Sequence, residues 1–334
     1  MVEWTCDRIC QQYASKLGHN SAPAITPSPI EKVRLNRAIC RYEAFCALMP
    51  SASQSTIWDA DAARDVFLRI FPTWEIEEIA CIYESLQYEY GCMLIEIAKH
   101  FCSLHPTADV NGWKKEEGYF DAFEPFDIRP GCDCFDRGRE TLASLGPSRL
   151  YEMHRTRCLK FISDAHEDGF DHDHEWRLTP GYLLPGLLHE TYDDDTSLHH
   201  IFPAEEHVLL ERCSTEQHVK HKQPSTGWLW LQLDDERTLA DPRRRYAETT
   251  PFGHFEMRYW GYVFWDEERM QATGLPSEYA PFVLNSIFNW DKWRTHEEEA
   301  WTRMKAAPIS DHWDFVVFTK RVVQSSQFLT AERD

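Results

Sequence analysis

The chain has 334 residues, a formal net charge of -20 at pH 7, and 13% aromatic and 27% charged residues. That length can bury one large core or two ordinary ones, and the negative charge repels a nucleic-acid backbone, so no nucleic-acid partner is expected. No apolar run approaches the ~20 residues needed to cross a bilayer, and the start of the chain lacks a basic stretch followed by an apolar one. A soluble, cytoplasmic protein with no membrane span is expected.

The 11 cysteines are scattered through helix-like segments, where free thiols behave as small buried hydrophobes. Cys132 and Cys134 are spaced CxC with no second pair at zinc-finger distance, so cysteine-bound zinc is not expected.

In chain order, residues 1–29 include "NSAPAITPSP" and read as a flexible N-terminal segment. The remainder, 30–334, reads as a single all-α domain. A first helix runs from Ile30 until Pro50 stops it, with Val33, Ala38, Tyr42, Phe45 and Leu48 or Met49 as its apolar stripe. Arg34, Arg37 and Arg41 line another face, either as a solvated face paired with acids or as an anion-binding strip. A short helix is expected over Trp58–Ile70, with Asp59, Asp61 and Asp65 near its positive end.

The clearest helix opens at Thr73 as N-cap and runs to about Phe101. Glu75, Glu77 and Glu78 fill its first turn, and Ile76, Ile79, Ala80, Tyr83, Leu86 and Tyr90 form the buried stripe. Glu77 and Glu84 share a face. Residues 106–136 are turn-rich and read as a long surface connection. A further helix begins near Arg139, breaks at Gly146-Pro147 and resumes from Ser148 along Leu150, His154, Cys158, Phe161 and Ala165.

That helix would deliver Asp164, Glu167 and Asp168 at its C-terminal end. Carboxylates there face the negative end of the helix dipole at a cost of about 0.3–1 kcal/mol each unless a cation sits nearby. Either they mark a cation site, or the helix stops earlier and they lie in solvent. A second acidic group, Asp193, Asp194 and Asp195, follows the apolar Leu183–Leu188.

Further on, "GWLWLQL" fits a short strand or a buried helical turn. The nine residues "MRYWGYVFW" hold five aromatics, and their periodicity cannot separate strand from buried helix. Helices are expected over 265–273, 281–304 and 312–330.

Three classes of function fit these residues. In a class I terpene cyclase, carboxylates on helices hold Mg²⁺, a hard cation that prefers oxygen, and aromatic faces steady a passing carbocation. In a non-haem iron oxygenase, His166, Asp168 and a distal histidine would form a two-histidine, one-carboxylate face. In a non-catalytic helical interaction protein, the acids are a solvated loop and the aromatics are core.

Four stretches, "RLNRAICRYEAFCALM", "FPTWEIEEIACIYESL", "GWLWLQ" and "RYWGYVFWDEERMQATG", together resemble a large group of fungal helical proteins. That group shares an Arg-rich first helix, a Trp-Glu-x-Glu-Glu-Ile-Ala-Cys helix start and a Trp-Gly-Tyr-Val-Phe-Trp-Asp block, spread here from about Arg34 to Gly274. The extra Asp/His-rich segments resemble one branch of it, the atypical class I sesquiterpene cyclases of fungal meroterpenoid pathways.

The resemblance implies a helical bundle like a class I terpene synthase, and Mg²⁺-dependent conversion of farnesyl diphosphate, the isoprenoid diphosphate partner, to humulene. It implies Arg258 and Tyr259 on the diphosphate, a task suited to the guanidinium fork. Trp260, Phe264, Trp290 and Trp293 would then line the hydrocarbon site. Asp164, Glu167 and Asp168 would form one side of the metal cluster, and Asp193, Asp194 and Asp195 the other. Asp61/Asp65 and Glu77/Glu84 are the next acidic pairs in line.

Overall fold

The computed structural model describes residues 1–17, 26–48, 67, 70–71, 73–104, 138–140, 142–157, 224–228, 258, 261–272 and 306–308. Among them all regular structure is helical: α1 (Val2–Leu17), α2 (Pro29–Leu48), α3 (Thr73–Leu104), α4 (Gly146–Thr156), a 3-10 turn (Tyr262–Phe264) and α5 (Glu267–Ala272). The all-α reading holds for these residues. No described helix is long and apolar enough to cross a membrane. The chain falls into two compact units.

The first unit holds α1, α2, α3 up to Ser85, and the 3-10 turn with α5. Residues 2–17, expected within a flexible leader, form α1 instead. Cys6, Ile9 and Tyr13 recur on one side and are buried, with Thr5 and Gln12 beside them. These positions follow helical spacing, and their burial offsets the entropy of ordering the segment.

Ser28 and Glu31 start α2 with a capping box. The Glu31 N–H donates to Ser28 Oγ at 3.2 Å, and the Ser28 N–H donates to Glu31 Oε2 at 2.7 Å. Pro29 takes the first helical position, where its missing N–H costs nothing. The stripe that α2 buries is Leu35, Ala38, Ile39, Tyr42 and Phe45, joined by Glu31 and Arg34. Val33, expected in the stripe, is instead exposed, because the helix turns Glu31 and Arg34 inward on the side away from it; Leu48, at the helix end, is exposed as well, and its alternative Met49 lies outside the described residues.

α3 is buried nearly all round in its first half. Trp74, Ile76, Ile79, Ala80, Cys81, Ile82 and Tyr83 are all covered, as befits a helix inside a core rather than on its surface. Of "GWLWLQL", Gly227 and Trp228 are helical backbone and the remaining five residues lie outside the described ones. Ser225 Oγ accepts the Trp228 N–H at 3.0 Å, a local hydroxyl cap.

Two glycines set the contact between chain segments here. Gly227 donates its N–H to the Trp265 carbonyl, and a Cβ on it would lie 2.0 Å from the Tyr262 carbonyl oxygen. Gly261 has φ +65° and carries the Tyr13 ring so closely that a Cβ would lie 2.3 Å from a ring carbon. Tyr13 also shares a 2.7 Å hydrogen bond with Ser85, so α1 is fixed to both α3 and the 3-10 turn.

The second unit holds α3 from Leu86 and also α4. Tyr90 OH donates to the Gly146 carbonyl at 3.5 Å, and Leu150 and Met153 are the core side of α4. Arg157, in the left-handed conformation at φ 55°, follows Thr156 and ends the helix. α4 therefore ends at Thr156; Cys158, Phe161 and Ala165, expected on the same apolar line, lie outside the described residues.

Candidate functional site

The first turn of α3 brings Glu75, Glu77 and Glu78 to the positive end of the helix dipole. Each of these glutamates is met by arginine from another part of the chain. Glu77 is held by Arg258, whose Nε donates to Oε1 at 2.7 Å and whose Nη2 donates to Oε2 at 2.8 Å. Tyr262 OH adds a 3.1 Å bond to Oε1. Both side chains of the ion pair are only 7% exposed, and such two-pronged guanidinium–carboxylate geometry is the strong form of the contact. Burial first, and then the adjacent Glu77 carboxylate, push the Tyr262 hydroxyl well above its ordinary range, so it remains a donor.

Glu78 receives Arg37 through Nε at 3.1 Å and Nη2 at 2.5 Å. Glu75 receives Arg37 Nη1 at 3.2 Å and Arg41 Nη2 at 2.8 Å. Arg41 also lies 4.5 Å from the centre of the Phe71 ring, a cation–π contact. Burial of Glu78 outweighs its guanidinium partner and pushes the carboxyl up to about 7.

A second clasp centres on Glu31. Its carboxylate accepts Arg269 Nε at 2.9 Å, Arg269 Nη2 at 2.6 Å and the Asp266 N–H at 3.1 Å. Arg269 Nη2 also donates to the Thr26 carbonyl at 2.8 Å, and its guanidinium lies 4.9 Å from the centre of the Trp265 ring. Asp266 in turn accepts Arg34 Nη1 at 2.6 Å and Ser28 Oγ at 3.2 Å. Arg34, Arg37 and Arg41 are thus paired with acids as one reading expected, with Arg34 buried and Arg37 and Arg41 half-buried.

The aromatics around these pairs pack on one another. Phe264, expected against a hydrocarbon, is fully buried, with its ring centre 6.4 Å from those of both Tyr13 and Trp265. Tyr13 and Trp265 meet edge to face at 5.5 Å, a preferred aromatic geometry.

Of the sequence-predicted residues, the structure places Arg258 and Phe264, both in the first unit. Tyr259, Trp260, Trp290 and Trp293 lie outside the described residues, as do Asp164, Glu167, Asp168, Asp193, Asp194 and Asp195. Asp61, Asp65 and His166 also lie outside them. Glu77, one of the reserve metal ligands, is buried and bound by a guanidinium.

Among the described residues no group of three or more His, Cys, Asp or Glu side chains is arranged to hold a metal ion. The donor chemistry agrees, since Glu31, Glu75, Glu77, Glu78 and Asp266 are each bound by arginine. Mg²⁺ needs open oxygen ligands in near-octahedral array, so these carboxylates do not fit it.

Sequence reasoning missed Glu31, Asp266 and Arg269. The Ser-x-x-Glu pattern at Ser28–Glu31 was the available signal for the first of them. No family model, curated protein or solved structure matches the chain.

Proposed function

We propose that this protein is a class I sesquiterpene cyclase of secondary metabolism that takes farnesyl diphosphate with Mg²⁺ and releases diphosphate and a macrocyclic, humulene-type hydrocarbon. The reading rests on the resemblance carried by the Arg-rich first helix, the Trp-Glu-x-Glu-Glu-Ile-Ala-Cys start and the Trp-Gly-Tyr-Val-Phe-Trp-Asp block. The observation that supports it best is that the last two of these pack together. Arg258 and Tyr262, beside and within the aromatic block respectively, bind Glu77 from the start of α3 inside an aromatic core.

In this reading the arginine-bound glutamates are structural, and the cation belongs to Asp164, Glu167, Asp168, Asp193, Asp194 and Asp195. Purified protein incubated with farnesyl diphosphate and MgCl₂ gives a sesquiterpene hydrocarbon detectable by gas chromatography with mass spectrometry. Absence of any hydrocarbon across the whole range of Mg²⁺ concentrations overturns the reading.

One observation favours a second reading, a non-catalytic helical interaction protein. The guanidinium assigned to diphosphate is bidentate on a buried carboxylate, as in a structural clasp. In that case farnesyl diphosphate with Mg²⁺ gives no shift in melting temperature, whereas a cyclase is stabilised by its ligand through mass action.

A further inference from the structure

Residues 26–29 read Thr-Pro-Ser-Pro, two hydroxyl side chains each followed by proline. Proline disfavours helical backbone in the residue before it, and 26–28 are accordingly neither helix nor strand, with α2 beginning at Pro29. A hydroxyl on non-helical backbone directly before proline is the chemical pattern read by proline-directed protein kinases. Thr26 is exposed and Ser28 half-buried.

What distinguishes Ser28 is the position of its hydroxyl in the Glu31 clasp. Oγ accepts the Glu31 N–H and donates to Asp266 Oδ2, each at 3.2 Å. Its own N–H lies 2.7 Å from Glu31 Oε2, and its carbonyl accepts the Lys32 N–H at 2.9 Å. Two carboxylates therefore flank one hydroxyl. The arginines beside them already have partners: Arg269 binds Glu31 and the Thr26 carbonyl, and Arg34 binds Asp266 and the Phe264 carbonyl.

We propose that Ser28 is a phosphoacceptor for a proline-directed protein kinase, and that its phosphorylation opens the clasp between the start of α2 and α5. In the transfer, the bond from the γ-phosphorus of ATP to ADP breaks and a bond to Ser28 Oγ forms, while the hydroxyl proton passes to the kinase's base. The ester oxygen has no hydrogen to donate to Asp266. The phosphate brings about -1.5 to -2 charge at pH 7 beside Glu31 and Asp266; the positive end of α2 favours that charge by about 0.3–1 kcal/mol, and repulsion from two adjacent carboxylates outweighs it and opposes reclosure. Access comes from local opening at the start of α2, where Pro29 supplies no N–H and Thr26 is already exposed.

The test uses intact protein, ATP and a purified mitogen-activated protein kinase. Modified residues are located by tandem mass spectrometry, and amide hydrogen exchange is followed over 264–272. The expected result is phosphate on Ser28, with amides of 266–270 exchanging about tenfold faster, as for a loss of one strong local contact. Ser28→Asn keeps a good N-cap and so remains folded, but takes no phosphate at position 28 and shows no acceleration. Thr26→Ala leaves both the Ser28 phosphate and the acceleration in place. Phosphate on Thr26 alone, or phosphate on Ser28 with unchanged exchange over 264–272, overturns the proposal. So does an unmodified Ser28 under conditions that phosphorylate a peptide of residues 22–32.

Discussion

Replacing Glu77 by leucine removes the carboxylate that Arg258 grips through two hydrogen bonds of 2.7 and 2.8 Å, and the acceptor of the Tyr262 hydroxyl. With both side chains 7% exposed, water cannot take over the guanidinium. A charge stranded in this way costs about 3–5 kcal/mol, while exchanging a whole buried pair for apolar groups of similar volume is often neutral or stabilising by about 1–4 kcal/mol. Three variants therefore decide the matter: Glu77→Leu, Arg258→Met and the two combined. Urea titrations followed by tryptophan fluorescence give each free energy of unfolding. Both single variants are expected to lose about 3–5 kcal/mol, and the double variant to lose clearly less than either, a coupling that a double-mutant cycle reads directly. Single variants within about 0.5 kcal/mol of the parent, the range of ordinary surface changes, would refute the buried clasp.

Three further outcomes are expected. Gly261→Ala places a methyl group 2.3 Å from the Tyr13 ring on backbone at φ +65°; it should cost about 1–3 kcal/mol in overpacking, with more from the positive φ, read as a lower urea midpoint. The Glu78 carboxyl, raised from 4.5 to about 7 chiefly by burial, binds a proton more tightly folded than unfolded. Its contribution is therefore greatest below pH 4.5 and declines as pH rises toward 7. Melting curves from pH 4 to 8 should lose that component in Glu78→Gln, and parent and variant profiles of identical shape would refute it. Under the cyclase reading, Asp164→Ala and Asp194→Ala each abolish hydrocarbon product with an unchanged melting temperature, and full activity in both moves the metal site elsewhere.

The helices α2 and α3 were legible because each carries a local signal: a proline stop or a first turn of acids. The buried stripe read for α3, from Ile76 to Tyr90, is buried throughout. α1 was hidden because its core positions, Thr5, Cys6, Ile9, Gln12 and Tyr13, mix polar with apolar types, and because the following Pro/Ser stretch suggested a leader. The end of α4 depends on Arg157 adopting a conformation that glycine or asparagine usually supplies, so no residue type announced it. Least legible were the partners of the arginines. Helical spacing shows that Arg34, Arg37 and Arg41 share a face, but only the fold brings Asp266 from 232 positions along the chain to Arg34.

These pairings bear on how an anionic substrate would be met. The chain holds 35 Lys and Arg against 55 Asp and Glu, and Arg34, Arg37, Arg41, Arg258 and Arg269 each bind carboxylates within the first unit. A diphosphate approaching Arg258 must compete with Glu77 for the same guanidinium fork. If it displaced the carboxylate, Glu77 would be left buried without its counter-charge, a cost of the same order as breaking the pair by mutation. Charge neutralisation in the cyclase reading therefore falls on bound Mg²⁺ rather than on these arginines. The proposal consequently stands or falls on the carboxylates of 164–195, and Arg258 serves it best by fixing the aromatic block to α3.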